Sequence, residues 1–216
     1  MRDQYQQQLD AVLDELVKMT GGVRAALKQA TEALLTADVA AAEAVITGDL
    51  AIDEARERIE EESFDILARQ SPVAGDLRTL VASLRMVTDL ERMGDLSVHV
   101  AKVARLRYPE GAVPEVLRPT ITAMADTADE MIESAADIVA NRDVDAALEL
   151  EQADDRMDKL RTSMFRTLLS EHWDEGVEPA VDMALLGRYY ERIGDHAVSM
   201  ARRMVYLVTG QHPATV

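Results

Sequence analysis

Eight acidic residues carry the clearest chemical signal in this 216-residue chain: Asp49/Asp53, Glu91/Asp95, Asp154/Asp158 and Glu191/Asp195 are all spaced i, i+4. On a helix that spacing puts both acids on one face, one turn apart, where like charges repel. Asp53 and Glu91 lie equally far from Pro72, and so do Asp49 and Asp95. If the chain folds back there, the four acids meet level on two antiparallel helices. Asp158 with Glu191, and Asp154 with Asp195, are centred in the same way on the loop Glu171-His172-Trp173-Asp174-Glu175-Gly176. Glu91 and Asp95 also fall in the helical sector of Leu77, Leu80, Leu84, Val87 and Val98, beside an apolar stripe. Carboxylates crowded against a core are costly bare, and a hard cation bound through oxygen relieves them. Iron, manganese, magnesium, calcium and zinc are all admissible, since an all-oxygen set does not choose among them. The plainer alternative is a solvated acidic face. Arg56, Arg92, Arg161 and Arg192 would then screen it, or else touch a phosphate or a partner.

The elements that must position these acids are helices. Apolar residues make up 48% of the chain while Gly and Pro number only 10 and 6, a mixture that favours helix over strand. Periodicity predicts helices near 3–36, 38–70, 73–107, 115–140, 143–170 and 178–208. Three breakers in Tyr108-Pro109-Glu110-Gly111-Ala112-Val113-Pro114 mark a linker over 109–114, between units 1–108 and 115–216. Self-comparison supports that division. Asp38-Val39-Ala40-Ala41-Ala42 recurs as Asp143-Val144-Asp145-Ala146-Ala147 at a shift of 105, each Asp placed as an N-cap. The same shift pairs Leu16 with Ile121, Met19 with Met124, Leu27 with Ile132, Leu34 with Val139, and Arg56 with Arg161. Glu91-Arg92-Met93-Gly94-Asp95 recurs as Glu191-Arg192-Ile193-Gly194-Asp195 at a shift of 100. Pro72 lies 19 residues before Glu91, whereas Pro179 lies 12 before Glu191, so the last helix is expected to start about two turns late. The expected fold is all-α, two tandem three-helix bundles with antiparallel neighbours.

These motifs resemble a known family. Pro72-Val73-Ala74-Gly75-Asp76-Leu77-Arg78, with Asp89-Leu90-Glu91-Arg92-Met93-Gly94-Asp95, is similar to the first-repeat signature of PhoU proteins. Tyr190-Glu191-Arg192-Ile193-Gly194-Asp195-His196-Ala197 resembles the second, and Val205-Tyr206-Leu207-Val208-Thr209-Gly210 is similar at the close. The acidic stretches at Asp49–Asp53 and Asp154–Asp158 resemble the motifs of that family's middle helices. The resemblance implies two three-helix bundles related by a pseudo-twofold. It implies metal, in some members as multinuclear iron or zinc clusters, held by Asp49, Asp53, Glu91, Asp95, Asp154, Asp158, Glu191 and Asp195, with manganese and magnesium left admissible by the oxygen donors. It implies a negative regulator of phosphate uptake and of the phosphate-starvation response. Such a regulator bridges the ATPase of the Pst transporter (PstB-like) to a sensor histidine kinase (PhoR-like), with a homodimer as the expected assembly. Asp76 and Arg78, which the second repeat lacks, and Arg92 and Arg192 are the candidate contacts for a partner or phosphate. Tyr189 stands where the first repeat has Asp89, so the two metal sites are expected to be unequal.

Other classes fare worse. A net charge of −17 repels a nucleic-acid backbone, and 4% aromatics leave little to stack on bases. The absence of cysteine excludes disulfides and thiolate metal sites and fits a reducing compartment. The N-terminal residues do not resemble a signal peptide, and no apolar run is long enough to span a bilayer. A cytoplasmic location follows, with access to the inner membrane face only through partners. A ferritin-type di-metal oxidase needs Glu-x-x-His, and none of the four histidines has Glu three residues before it. No nucleophile elbow suggests a hydrolase. The chain is expected not to be an enzyme, with a metal-free helical scaffold as the alternative. His99 and His196 are minor candidates to extend the acidic sites; His172 and His212 fall in a loop and a tail. Trp173 is expected at a hairpin tip, packed there or anchoring a partner. Gly21-Gly22 weakens the first helix and allows a kink.

Overall fold

A computed structural model describes residues 2–211, so His212 lies outside the described residues. Seven α-helices follow in order: α1 (Arg2–Thr36), α2 (Val39–Gly48), α3 (Leu50–Gln70), α4 (Gly75–Arg107), α5 (Arg118–Asn141), α6 (Val144–Leu168) and α7 (Val177–Thr209), with a 3₁₀ turn at Glu115–Leu117. Among the described residues there is no strand. Asp38 caps α2 by accepting from the backbone N–H groups of Ala40 and Ala41, and Asp143 caps α6 through that of Ala146. Both satisfy donors that a helix start leaves unpaired. Helix α1 runs unbroken through Gly21 and Gly22.

The expected helix over 38–70 is interrupted at Asp49. Gly48 is a poor helix former, and the Asp49 carbonyl accepts from both Ile52 and Asp53, tightening the turn there. The α2–α3 rod still continues in one direction, because Asp49 keeps right-handed helical angles. The expected late start of the last helix is also corrected. Helix α6 ends at Leu168, ten residues beyond Asp158, whereas α3 runs seventeen beyond Asp53 to Gln70. Seven residues are missing from the end of α6 and only two from the start of α7, and a loop four residues longer offsets part of the loss. Trp173 staples that loop by donating its indole N–H to the Gly176 carbonyl at 2.8 Å while packing on the core.

Helices α1, α2–α3 and α4 pack as one bundle and α5, α6 and α7 as another; α1 against α5 and α4 against α7 join them. One hydrophobic core runs through both. The repeat-related pairs Leu16/Ile121, Met19/Met124, Leu27/Ile132 and Leu34/Val139 are all buried in it. Helix α4 touches α1, α2, α3 and α7, so it buries residues on most of its circumference, while α3 and α6 lie on the outside. No described helix is long and apolar enough to cross a membrane.

Candidate functional site

Each outer rod presents its acids to the signature helix beside it. In the first bundle Asp49 sits half-buried against α4. Burial raises its carboxyl above the ordinary carboxylate value, and the charges of Asp53, Asp95 and Glu91 raise it further, with Lys102 partly offsetting them. In the second bundle Asp154 is raised by burial, then by Asp195 and Asp158. Asp195 is raised by burial and by Glu191, with Arg188, His196 and Arg192 opposing. The structure therefore brings Asp49, Asp53, Glu91 and Asp95 together, and likewise Asp154, Asp158, Glu191 and Asp195.

Glycine makes the approach possible. A Cβ added at Gly94 would lie 3.1 Å from Ile52 Cδ1 and 3.5 Å from Asp49 Oδ1. One added at Gly194 would lie 3.1 Å from Met131 Sδ and 3.8 Å from Asp154 Oδ1. The Gly of each Glu-Arg-x-Gly-Asp motif thus leaves a hollow on the signature helix, filled by Ile52 of the neighbouring rod at Gly94 and chiefly by Met131 of α5 at Gly194.

Arginines answer the acids unequally. Arg92 reaches Asp95 at 3.1 Å and Glu91 at 3.6 Å on an exposed surface. Glu191 is buried and clamped twice, by Arg188 at 2.5 Å and Arg161 at 3.1 Å. Arg56 turns to Glu60 and Glu57 instead of its quartet, and Arg192 forms no ion pair among the described residues. Arg56 and Arg161, equivalent in the repeats, both bury an Nε that has no partner among the described residues.

As they stand, no three carboxylate or imidazole groups among the described residues are set closely enough to hold an ion. The donor chemistry nonetheless fits a hard cation: all oxygen, partly desolvated, and mutually repelling. Ligation would require Glu91, Asp95 and Glu191 to swing out of their arginine pairs.

The Asp89/Tyr189 asymmetry lies at the bundle interface, not at the acids. Asp89 is buried between α4 and α7, where it accepts from Arg203 Nε at 2.9 Å and Ser199 Oγ at 3.2 Å and bonds His196 Nδ1 at 3.0 Å. At the equivalent place Tyr189 stacks on His99, with ring centroids 5.3 Å apart. Asp76 and Arg78 are elsewhere, at the start of α4. Asp76 faces Tyr5, and Arg78 lies against Gly210, which caps the C-terminus of α7. A cation there suits the negative end of the helix dipole. Sequence spacing pointed to neither Arg188 nor the partners of Asp89; the Asp89 contacts join residues more than a hundred apart and leave no local pattern, while Arg188 stands three residues before Glu191 and matters because folding buries that glutamate.

Fold and site together define an all-α tandem-repeat protein with an acidic quartet in each repeat. The family profile described as "PhoU domain" matches residues 16–104 and again 121–204. The chain belongs to the PhoU family. It is 43% identical over 213 residues to "Phosphate-specific transport system accessory protein PhoU homolog 2" of Mycobacterium tuberculosis, covering 99% of this chain and 100% of that one. Among solved structures it superposes on PhoU from Pseudomonas aeruginosa with a TM-score of 0.89 and 32% identity, over 96% of this chain and 100% of that one. The fold is also that of the phosphate transport system regulatory protein PhoU from Streptococcus pneumoniae, with a TM-score of 0.88 and 23% identity, over 98% and 100% of the two chains.

Proposed function

We propose that this chain is an accessory regulator of phosphate transport that restrains phosphate uptake and the phosphate-starvation response. The observation that carries this reading is end-to-end likeness to a relative named as a phosphate-specific transport system accessory protein. Both Glu-Arg-x-Gly-Asp motifs are present and set against acids of the neighbouring rod. In this reading the protein is an adaptor, not a catalyst. It links the ATPase of a phosphate transporter to a sensor histidine kinase, reaches the inner membrane face through them, and pairs as a homodimer. Asp49, Asp53, Glu91 and Asp95 would hold one metal group, and Asp154, Asp158, Glu191 and Asp195 another. A bound cation would neutralise the repulsion that burial aggravates.

Deletion of the gene is expected to leave phosphate-starvation genes on in plentiful phosphate, with repression restored by the plasmid-borne chain. Normal repression in the deletion strain counts against the regulatory reading. Elemental analysis of protein purified without chelators tests the metal reading separately. Glu91→Gln with Asp95→Asn should lower bound metal, and Glu191→Gln with Asp195→Asn should remove the remainder. Metal content unchanged in both pairs would discard the ligand assignment and leave the regulatory one standing.

A further inference from the structure

Between α4 and α7, where the two bundles meet, the structure has a cleft of about 380 Å³ whose charge is opposite to that of the chain as a whole. The net charge is −17, yet Arg92, Arg188 and Arg192 all line this cleft. Arg92 and Arg192 are the same position in the two repeats, so the pseudo-twofold sets them on opposite walls. His196 forms part of the wall, and its Nε2 is buried with no hydrogen-bond partner among the described residues. The stacked rings of Tyr189 and His99, with Leu96, supply a flatter apolar side.

We propose that this cleft binds a phosphate-type dianion through the guanidinium groups of Arg92, Arg188 and Arg192 and the free Nε2 of His196. Guanidinium forks match tetrahedral oxyanions, and three of them suit a double negative charge. The arginines are partly occupied, Arg92 by Asp95 and Arg188 by Glu191. Arg92 and Asp95 are both substantially exposed, and an exposed pair gives up its partner at little cost. Arg192 needs no such release. Asp95, which itself lines the cleft, and Glu191, paired to Arg188, lie close enough to oppose the anion, so binding requires those pairs to open; acids farther than about 8 Å are screened at physiological salt.

His196 adds selectivity. The Asp89 carboxylate accepts from Nδ1–H, and in that tautomer Nε2 carries the lone pair, on a side chain that lines the cleft. Hydrogen phosphate has a P–OH that can donate to it. Sulfate, fully deprotonated at neutral pH, does not. The cleft is therefore expected to prefer phosphate over sulfate at equal charge. This inference goes beyond the regulatory reading, since an adaptor can take its signal wholly from the transporter.

The test is equilibrium dialysis of chelator-treated full-length protein against radiolabelled inorganic phosphate at fixed ionic strength. A single saturable site is expected, with sulfate a weaker competitor. Arg92→Gln and Arg192→Gln, both at exposed positions, should each weaken it by about tenfold or more, while Arg166→Gln on the outer helix α6 leaves it unchanged. His196→Asn should bring the affinities for phosphate and sulfate together. Absence of saturable binding to the wild-type chain, or binding that survives both Arg92→Gln and Arg192→Gln, overturns the proposal. Neither result touches the deletion phenotype, so the cleft and the regulatory role fail or stand separately.

Discussion

At Asp49 and Asp154 three influences act in one direction: partial burial, a carboxylate one turn along the chain, and a carboxylate on the facing helix. Each native carboxyl therefore holds its proton more tightly than the unfolded chain does. By linkage, the metal-free protein loses stability as pH rises from below the ordinary carboxylate range through these raised native values. Asp49→Asn and Asp154→Asn are accordingly expected to stabilise chelator-treated protein at neutral pH. Relieving a like-charge pair one turn apart contributes about 0.5 kcal/mol, or roughly 1–2 °C in Tm for each variant. The gain should shrink toward nothing below about pH 4, where wild-type carboxyls are protonated too. Thermal melts across pH check this, and a gain that persists in acid would remove charge repulsion as its cause. Asp129 behaves oppositely. Burial pushes its carboxyl up, but hydrogen bonds from Arg24 and Lys28 outweigh burial and hold it below the ordinary range. The stability it contributes is present at neutral pH and lost as pH falls through its native value. The eight acids were legible in the sequence because two regularities coincide, the i, i+4 spacing and equal distance from a turn. The arginines that answer them were legible only in part. Arg92 lies inside the motif, whereas Arg188 stands before it and takes its importance from a glutamate that folding buries.

At the scale of helices, the same amino acid has opposite effects according to what faces it. A Cβ at Gly94 would press on Ile52 and approach Asp49, and one at Gly194 would press on Met131. At Gly21 and Gly22, both exposed on α1, no other atom lies within 4 Å of the added carbon. Gly21→Ala is therefore expected to stabilise the protein by about 0.5–1 kcal/mol through helix propensity alone. Gly94→Ala gains the same propensity but must push α3 from α4, an overpacking cost of about 1–3 kcal/mol. Its net effect should be destabilising, and by separating Asp49 from Asp95 it should also lower metal content. Denaturant unfolding of the two variants checks the pair. If Gly94→Ala matched Gly21→Ala, the hollow would have no role in setting the rod against α4. Helix spans were readable because apolar periodicity extends along whole helices. The break at Asp49 was hidden because both neighbouring segments keep the periodicity, and only Gly48 and the shared Asp49 carbonyl mark it. The shortening of α6 was misplaced for a related reason. A change of repeat shift counts missing residues without locating them, and Pro179, inside the first turn of α7, was read as though it marked a delayed start.

Over the whole molecule, two nearly equivalent bundles are joined by contacts that are not equivalent. An exact twofold pairs identical patches, so a residue near the axis would meet its own copy. Here Arg24 of α1 meets Asp129 of α5, the position 105 residues on, at 2.7 Å. The flanking contacts, Arg24 with Glu133 at 2.5 Å and Lys28 with Asp129 at 3.2 Å, are each other's counterparts. Divergence has made α1 basic and α5 acidic along this seam. Across α4 and α7 the same holds, since Arg107 pairs with Asp182 and Glu178 where the counterpart positions carry Leu207, Ala82 and Arg78. Such polarity favours one repeat beside the other over like repeats pairing between chains, because like pairing would set arginine against arginine. Arg24→Asp should leave three acids crowded on α1 and α5 and cost about 2 kcal/mol, roughly 4–8 °C in Tm. Adding Asp129→Arg should recover only part of the loss, because the new arginine faces Lys28 and the new aspartate faces Glu133. Exchanging all four, with Lys28→Glu and Glu133→Lys as well, restores every pair with reversed sign and should return stability to within about 1 kcal/mol of wild type. Thermal unfolding of the single, double and quadruple variants measures each step. If the quadruple variant were no more stable than Arg24→Asp alone, side-chain packing and not charge polarity would hold α1 against α5.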